Sequence, residues 1–161
     1  MTDQAILPRA CLVVAEAARN AGLDIEIQLM DASTRTAEEA AAACGCEVGQ
    51  IVKSLVFQGK ESGKPVLLLV SGANRVKENA VAREIGEKIV RPDAEFVRGA
   101  TGFAIGGIPP LGHDTPLATF MDEALLAYAV VWAAAGTPDA VFPIAPAQLG
   151  EAAAAVVIPV A

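Results

Sequence analysis

The sequence is short of the residues that most often carry out chemistry. Its 161 residues include one histidine, one tryptophan, one tyrosine and three cysteines. The histidine, His113, lies in a Pro/Gly-rich loop beside Asp114 and reads as a surface or capping residue rather than a general base. No Ser/His/Asp or Cys/His set can be assembled around it. Cys11, Cys44 and Cys46 are odd in number and contain a Cys-x-Cys pair, which is no disulfide framework and fits reduced thiols. A zinc site would need all three cysteines plus His113. Cys11 and Cys44 fall at core positions of helices and the usual ligand spacings are missing, so neither metal nor cofactor is expected. The longest apolar run, "ALLAYAVVWAAA" from Ala124 to Ala135, is too short to cross a bilayer. The opening "MTDQAILPRACLVV" places an acid before any base, unlike a secretory signal. A cytoplasmic protein with no membrane contact is expected.

Positive charge is also scarce. The formal net charge is −7, which disfavours DNA and broad nucleic-acid binding. No lysine or arginine follows Arg98, yet Arg75, Lys77, Arg83, Lys88, Arg91 and Arg98 supply half of the 12 basic residues. Such a cluster suits a small phosphate-bearing contact. It equally suits a solvated helix face, with Glu78, Glu84 and Glu87 interleaved. Aromatic residues make up 4% of a chain that is 53% hydrophobic, so the core is expected to be aliphatic and finely packed.

What is present reads as a single folded domain over residues 1–161, with no repeat or linker. Leu7, Cys11, Val14 and Ala18 recur at helical spacing and Gly22 follows as a stop. "DIEIQL" alternates like a strand. Thr36 and Glu39 form a capping box for an alanine-rich helix that ends near Gly45. "IVKSLVF" and "PVLLLV" read as strands, the second an apolar run suited to a buried one. A helix is expected over 76–85, closed by Gly86, then strands at "LATFM", "YAVVWAA" and "AVFPIA". The last carries a proline and so belongs near an edge. Pro146 opens a final helix. The mixture lacks a βαβ rhythm, which predicts an α+β fold with a mixed, largely antiparallel sheet, curled or barrel-like, flanked by helices.

Two features stand out as candidate chemistry. "GFAIGGIPPLGH", Gly102 to His113, is a loop whose backbone shape matters more than its side chains. It matches neither a P-loop nor a dinucleotide motif. Gly106 and Gly107, beside Ile108, offer unshielded N–H groups suited to an oxyanion or carbonyl oxygen; the alternative is a structural turn. Lys53 is the second feature. In a strand it shares a face with Ile51, Leu55 and Phe57, an expensive place for an ammonium unless it is paired or lines a cavity. It could also be an edge lysine, or one whose stem snorkels to water. Ser54 points to the opposite face. The inventory fits orientation and oxyanion donation better than strong-base chemistry.

"QIVKSLVF", then "ATGFAIGGIPPLGH", then "VWAAAGTPDAVFPIAPAQL" resemble the YbaK/EbsC family, which is related to the editing domain of bacterial-type prolyl-tRNA synthetases. The likeness runs from about Thr36 to Leu149. It implies a YbaK-like fold and a hydrolase that deacylates mischarged aminoacyl-tRNA in trans by water attack on the ester. Its partners would be the acceptor end of the tRNA and a synthetase or elongation factor. By the same resemblance, Lys53 positions the 3′ end and Gly106, Gly107 and Ile108 hold the aminoacyl carbonyl. Met30, Ser54, Leu55, Gly102, Phe103 and Ala134 would surround the acyl group. A tyrosine and a serine of cysteine-specific members fall on Met30 and Ala134, and the signature of the alanine-specific branch is missing, so the acyl group stays open. Two other functions compete: a non-catalytic module binding acceptor ends or a synthetase, and a hydrolase of another small ester.

Overall fold

The computed structural model describes residues 7–31 and 34–161. Helix α1, Arg9–Asn20, buries Cys11, Val14 and Ala18, the stripe its spacing predicts. Helix α2, Ala37–Cys44, is opened by the capping box: the Glu39 N–H donates to Thr36 Oγ1 at 3.1 Å and the Thr36 N–H to Glu39 Oε1 at 3.4 Å. Helix α3 is Glu78–Ile85. Helix α4, Ala94–Thr101, escaped the sequence reading although Asp93 caps it, accepting the Phe96 N–H at 2.8 Å. Helix α5, Pro146–Ala152, starts at the proline.

Eight strands form one sheet: β1 Gln28–Leu29, β2 Ile51–Gly59, β3 Pro65–Ser71, β4 Ile89–Val90, β5 Ala118–Asp122, β6 Val131–Ala134, β7 Ala140–Ile144 and β8 Val156–Ile158. Their order is β1-β7-β6-β2-β3-β5-β8, with β4 also paired to β2. The sheet is mixed, with β2 antiparallel to β3 and β4 but parallel to β6. The expected α+β architecture is present. Two strands are shorter than expected. Of "DIEIQL" only Gln28 and Leu29 find ladder partners, on β7, while Ile25 and Ile27 pack against the core without pairing. Of "YAVVWAA" only the part from Val131 is strand, because a 3-10 segment, Glu123–Ala127, precedes it. Pro143 lies opposite Trp132 and beyond the two β7 residues that pair with β1, so its missing N–H breaks no rung on that side.

Strand β3 is covered on both faces. Leu67 and Leu69 enter the larger core with Cys11, Val14 and Ala18 of α1 and Phe142 of β7. Val66, Leu68 and Val70 enter a second core with Val81 of α3. A smaller cluster joins Ala40 and Ala41 of α2 to Ile51 of β2.

One buried carboxylate ties three of these pieces together. Asp122, at the end of β5, is 1% exposed. Its Oδ2 accepts the Ser71 N–H at 3.1 Å and Asn74 Nδ2 at 2.9 Å, and its Oδ1 accepts the Ala124 N–H at 2.9 Å. It thereby fixes the turn after β3. Replacing it strands three donors, so Asp122→Ala should cost roughly 3 kcal/mol in urea unfolding. A loss below about 1 kcal/mol would show that the carboxylate is dispensable to the turn.

Candidate active site

The site begins with a rule of strand pairing. Pro65 has no N–H, so the Gln58–Pro65 pair cannot be a hydrogen-bonded one, and the Gly59 N–H donates to the Lys64 carbonyl at 2.9 Å instead. The Gly72 N–H reaches the Ile51 carbonyl at 2.7 Å in the same alternation. The odd-numbered residues of β2 therefore turn their main-chain groups toward β3. The even-numbered residues turn theirs to the other edge.

On that other edge β6 pairs only with Ile51 and Val52, and β4 only with Gln58 and Gly59. Between them the N–H and C=O groups of Ser54 and Val56 have no ladder partner. The β2 and β6 strands fork there. A cavity of about 230 Å³ opens at the fork, and its wall includes Lys53, Ser54, Leu55, Gly106, Ile108 and Ala134. Because β2 and β6 run parallel, Lys53 shares a sheet face with Ala134 and Trp132, while Ser54 shares the other face with Ala133.

Lys53 is half-buried and its Nζ donates to the Asn74 carbonyl at 2.6 Å. Burial lowers its pKa from the ordinary lysine value, Glu38 opposes that, Arg75 lowers it further and Asp122 opposes again. The carbonyl it uses belongs to the turn that Asp122 holds through the Asn74 side chain. Asp122 and Asn74 thus position the ammonium. Sequence reading missed both, since nothing local links residues 53, 74 and 122. Arg35 and Thr36 also line the cavity, just before α2. A basic residue immediately ahead of a capping box was the signal that could have found Arg35.

The glycine loop reaches the cavity through Ile105, Gly106 and Ile108. The Gly107 N–H donates to the Ala104 carbonyl at 3.2 Å, and Gly106 has φ +103°, which makes residues 104–107 a turn with Gly106 at its left-handed position. The N–H groups of Gly106 and Ile108 have no acceptor among the described residues. The Gly107 amide, in contrast, closes the turn. Its missing Cβ serves close approach: a methyl there would meet Thr137 Cα at 2.7 Å and the Gly136 carbonyl oxygen at 2.9 Å. The structural-turn alternative thus describes Gly107, while the Gly106 N–H is left open.

Besides Gly107, three further sequence candidates are not on the cavity wall. Phe103 is buried in the larger core, its ring edge-on to His113 with centroids 6.3 Å apart. Gly102 caps α4 with φ +84° beside the Asp114 carboxylate. Met30 follows β1 and donates its N–H to the Asp139 carbonyl at 2.8 Å. His113 is a strut: Nε2 lies 2.7 Å from the Pro109 carbonyl, across the two prolines. The thiols of Cys11, Cys44 and Cys46 are all raised in pKa, chiefly by burial, Cys44 to about 11. Among the described residues no three His, Cys, Asp or Glu side chains converge as a metal site would require.

A family model, described as an aminoacyl-tRNA editing domain, matches residues 31–152. The chain belongs to the aminoacyl-tRNA editing domain family. A solved structure provisionally described as a trans-editing enzyme for prolyl tRNA synthetase superposes with a TM-score of 0.90 at 47% identity, covering 96% of this chain and 98% of its own. The YwhH protein of Bacillus subtilis is 30% identical over 129 residues, 78% of this chain and 80% of that protein. A protein of Enterococcus faecalis, EbsC, provisionally named a Cys-tRNA(Pro)/Cys-tRNA(Cys) deacylase, is 27% identical over 72% of this chain and 76% of its own length. In this editing domain, then, the fork, Lys53 and the glycine loop occupy one place.

Two predictions concern the loop. Gly107→Ala drives a methyl into backbone and should cost at least about 2 kcal/mol, whereas Gly106→Ala meets nothing nearer than Pro138 Cγ at 4.0 Å and carries only its φ strain, about 1–2 kcal/mol. Chemical denaturation ranks them, and the reverse order would undo the assignment of the two glycines. The second concerns pH. Burial holds the His113 pKa below its usual value, opposed by the Pro109 carbonyl and Asp114. The unfolded chain therefore binds this proton first. The stabilisation is complete above about pH 6.5 and is lost as pH falls through the lower folded value. His113→Gln should flatten that part of the stability profile; an unchanged slope would show that His113 does not titrate on unfolding.

Proposed function

We propose that this editing domain hydrolyses the ester of mischarged aminoacyl-tRNA in trans, gripping the acceptor end alone. The observation that carries the reading is the placement of Lys53 and the unpaired Gly106 and Ile108 amides on the wall of one small cavity. The cavity measures about 230 Å³. In this reading a small aminoacyl group occupies the cavity and the rest of the tRNA stays outside, with only its acylated tip inserted. Lys53 then meets the sugar or phosphate of the terminal nucleotide, with Arg35 on the same wall and the exposed Arg75 nearby. The Gly106 and Ile108 N–H groups aim at the acyl carbonyl and stabilise the charge it gains as water attacks. An aminoacyl ester is already activated, so orientation and carbonyl polarisation suffice without a triad.

Leu55, Ala134 and Ile108 offer the acyl side chain apolar contact, and one methylene changes binding in such a pocket by only about 1–3 kcal/mol. Several small aminoacyl groups, alanine, serine and threonine among them, are therefore substrates, and bulky aromatic ones are excluded. The setting is cytoplasmic translation, with a synthetase or elongation factor as a further partner. Because the chain as a whole is acidic, contact with RNA is local and salt-sensitive.

Lys53→Ala should keep the fold and lose about a hundredfold in deacylation of alanyl- or seryl-minihelices, the equivalent of one charge-assisted contact of 2–3 kcal/mol. Release of labelled amino acid, with circular dichroism as the control for folding, measures it. A folded variant with full activity would remove Lys53 from the mechanism.

A further inference from the structure

The fork leaves one specific rung of the sheet unmade. Ala135 donates its N–H to the Ala140 carbonyl at 2.9 Å, so Ala133 and Ala135 face β7 while Trp132 and Ala134 face β2. The parallel ladder runs through the Ile51–Trp132 and Val52–Ala133 pairs and stops. Its next step would join the Ser54 N–H to the Ala134 carbonyl. Both groups point into the gap, both residues line the cavity, and Gly106, whose N–H has no acceptor among the described residues, lines it too. One main-chain donor and one main-chain acceptor thus face each other across a space that a small group can enter, with a second donor alongside.

We propose that the α-aminoacyl group of the substrate fills this missing rung. Its carbonyl oxygen accepts the Ser54 N–H in addition to the loop N–H groups of Gly106 and Ile108 assigned to it above, and its α-ammonium donates to the Ala134 carbonyl. The inference rests on the deacylase reading above and adds what the site recognises: an α-amino acid as such, read through main-chain atoms whatever its side chain. This explains how a pocket with few polar side chains tells an aminoacyl ester from an ordinary one. The donors on the carbonyl come from different elements, strand and loop, which fixes the plane of the ester as well as its position. An acyl group without a donor on its α-carbon leaves the Ala134 carbonyl unpaired in a confined site, and a buried acceptor without a partner weighs heavily against that ligand.

The test uses the whole chain and acceptor-stem minihelices carrying alanyl, lactyl or propionyl esters, with rates divided by those of hydroxide-catalysed hydrolysis to remove intrinsic reactivity. The expected order is alanyl, then lactyl, which keeps one donor, then propionyl, with at least tenfold between first and last in kcat/KM. A parallel measurement avoids reactivity altogether: minihelices ending in 3′-alanylamido- or 3′-propionylamido-adenosine compete for the site, and the alanyl amide should bind at least tenfold more tightly. Hydrolysis of alanyl and propionyl esters within twofold of each other, or equal binding of the two amides, would overturn this proposal and leave the deacylase reading standing. No hydrolysis of any ester would overturn both.

Discussion

Strand β2 is hydrogen-bonded along the whole of one edge and only at the two ends of the other, and the site exists because of that asymmetry. Unpaired main-chain groups inside a protein are costly, so sheets close such gaps unless something holds them open. Here the holding is done by packing. Below the fork, Val52 and Ala133 are locked in the larger core. Above it, β6 stops after Ala134 and the chain turns at Gly136, whose φ is +107° and whose hydrogen faces the Ala10 carbonyl so closely that a methyl would approach it to 2.8 Å. Helix α1 thus abuts the turn that ends β6, and Ile108 of the glycine loop is buried in the same larger core. The open edge is a product of the core around it.

The same logic applies to the charged group. A half-buried lysine is tolerable because a carbonyl receives it, and that carbonyl is in place because Asp122 gathers the Ser71 and Asn74 donors of the turn. Ser71 itself ties back to the start of β2 through its hydroxyl, which donates to the Gly49 carbonyl at 2.8 Å. The ammonium, the turn and the strand that carries the lysine form a closed circuit of hydrogen bonds. The loop on the other side is braced in the same way, by the Gly107 turn bond, by His113 against Pro109 and by Thr101 Oγ1, which accepts the Phe103 N–H at 3.0 Å. Donors held this firmly need little reorganisation when charge develops before them.

Features set by neighbours in sequence could be read from sequence. The capping box needed only Thr36 and Glu39, and the β2 pattern exposed Lys53 as an anomaly because alternation is local. The loop's composition marked it as a shaped backbone. What stayed hidden depends on partners far along the chain. "DIEIQL" has the alternation of a strand, yet pairing is decided by how much of β7 is within reach, and only two residues qualify. Helix α4 is short and carries a glycine, Gly99, in its interior, which reads as punctuation although Val97 and Thr101 are buried at helical spacing. The resemblance puts Phe103 beside the acyl group, yet the chain turns at Gly102 and its ring lies in the core. Gly107 was read as a donor because a bare backbone serves exposure and close packing equally well, and only the position of Thr137 distinguishes them.

Register is the deepest of these hidden quantities. A one-residue shift between β2 and β3 would turn the Lys53 and Leu55 main-chain groups to the open edge and send the lysine side chain to the opposite face. Pro65 opposes such a slip, because it can occupy only a position where no N–H is required. One proline in the neighbouring strand therefore helps decide which amides face the cavity. The apolar residues of β3 enforce the same choice, since Leu67 and Leu69 must enter one core while Val66, Leu68 and Val70 enter the other. The main-chain part of this wall has no side chain of its own to specify it. Its specification is carried by residues that never touch the ligand, through the register they impose.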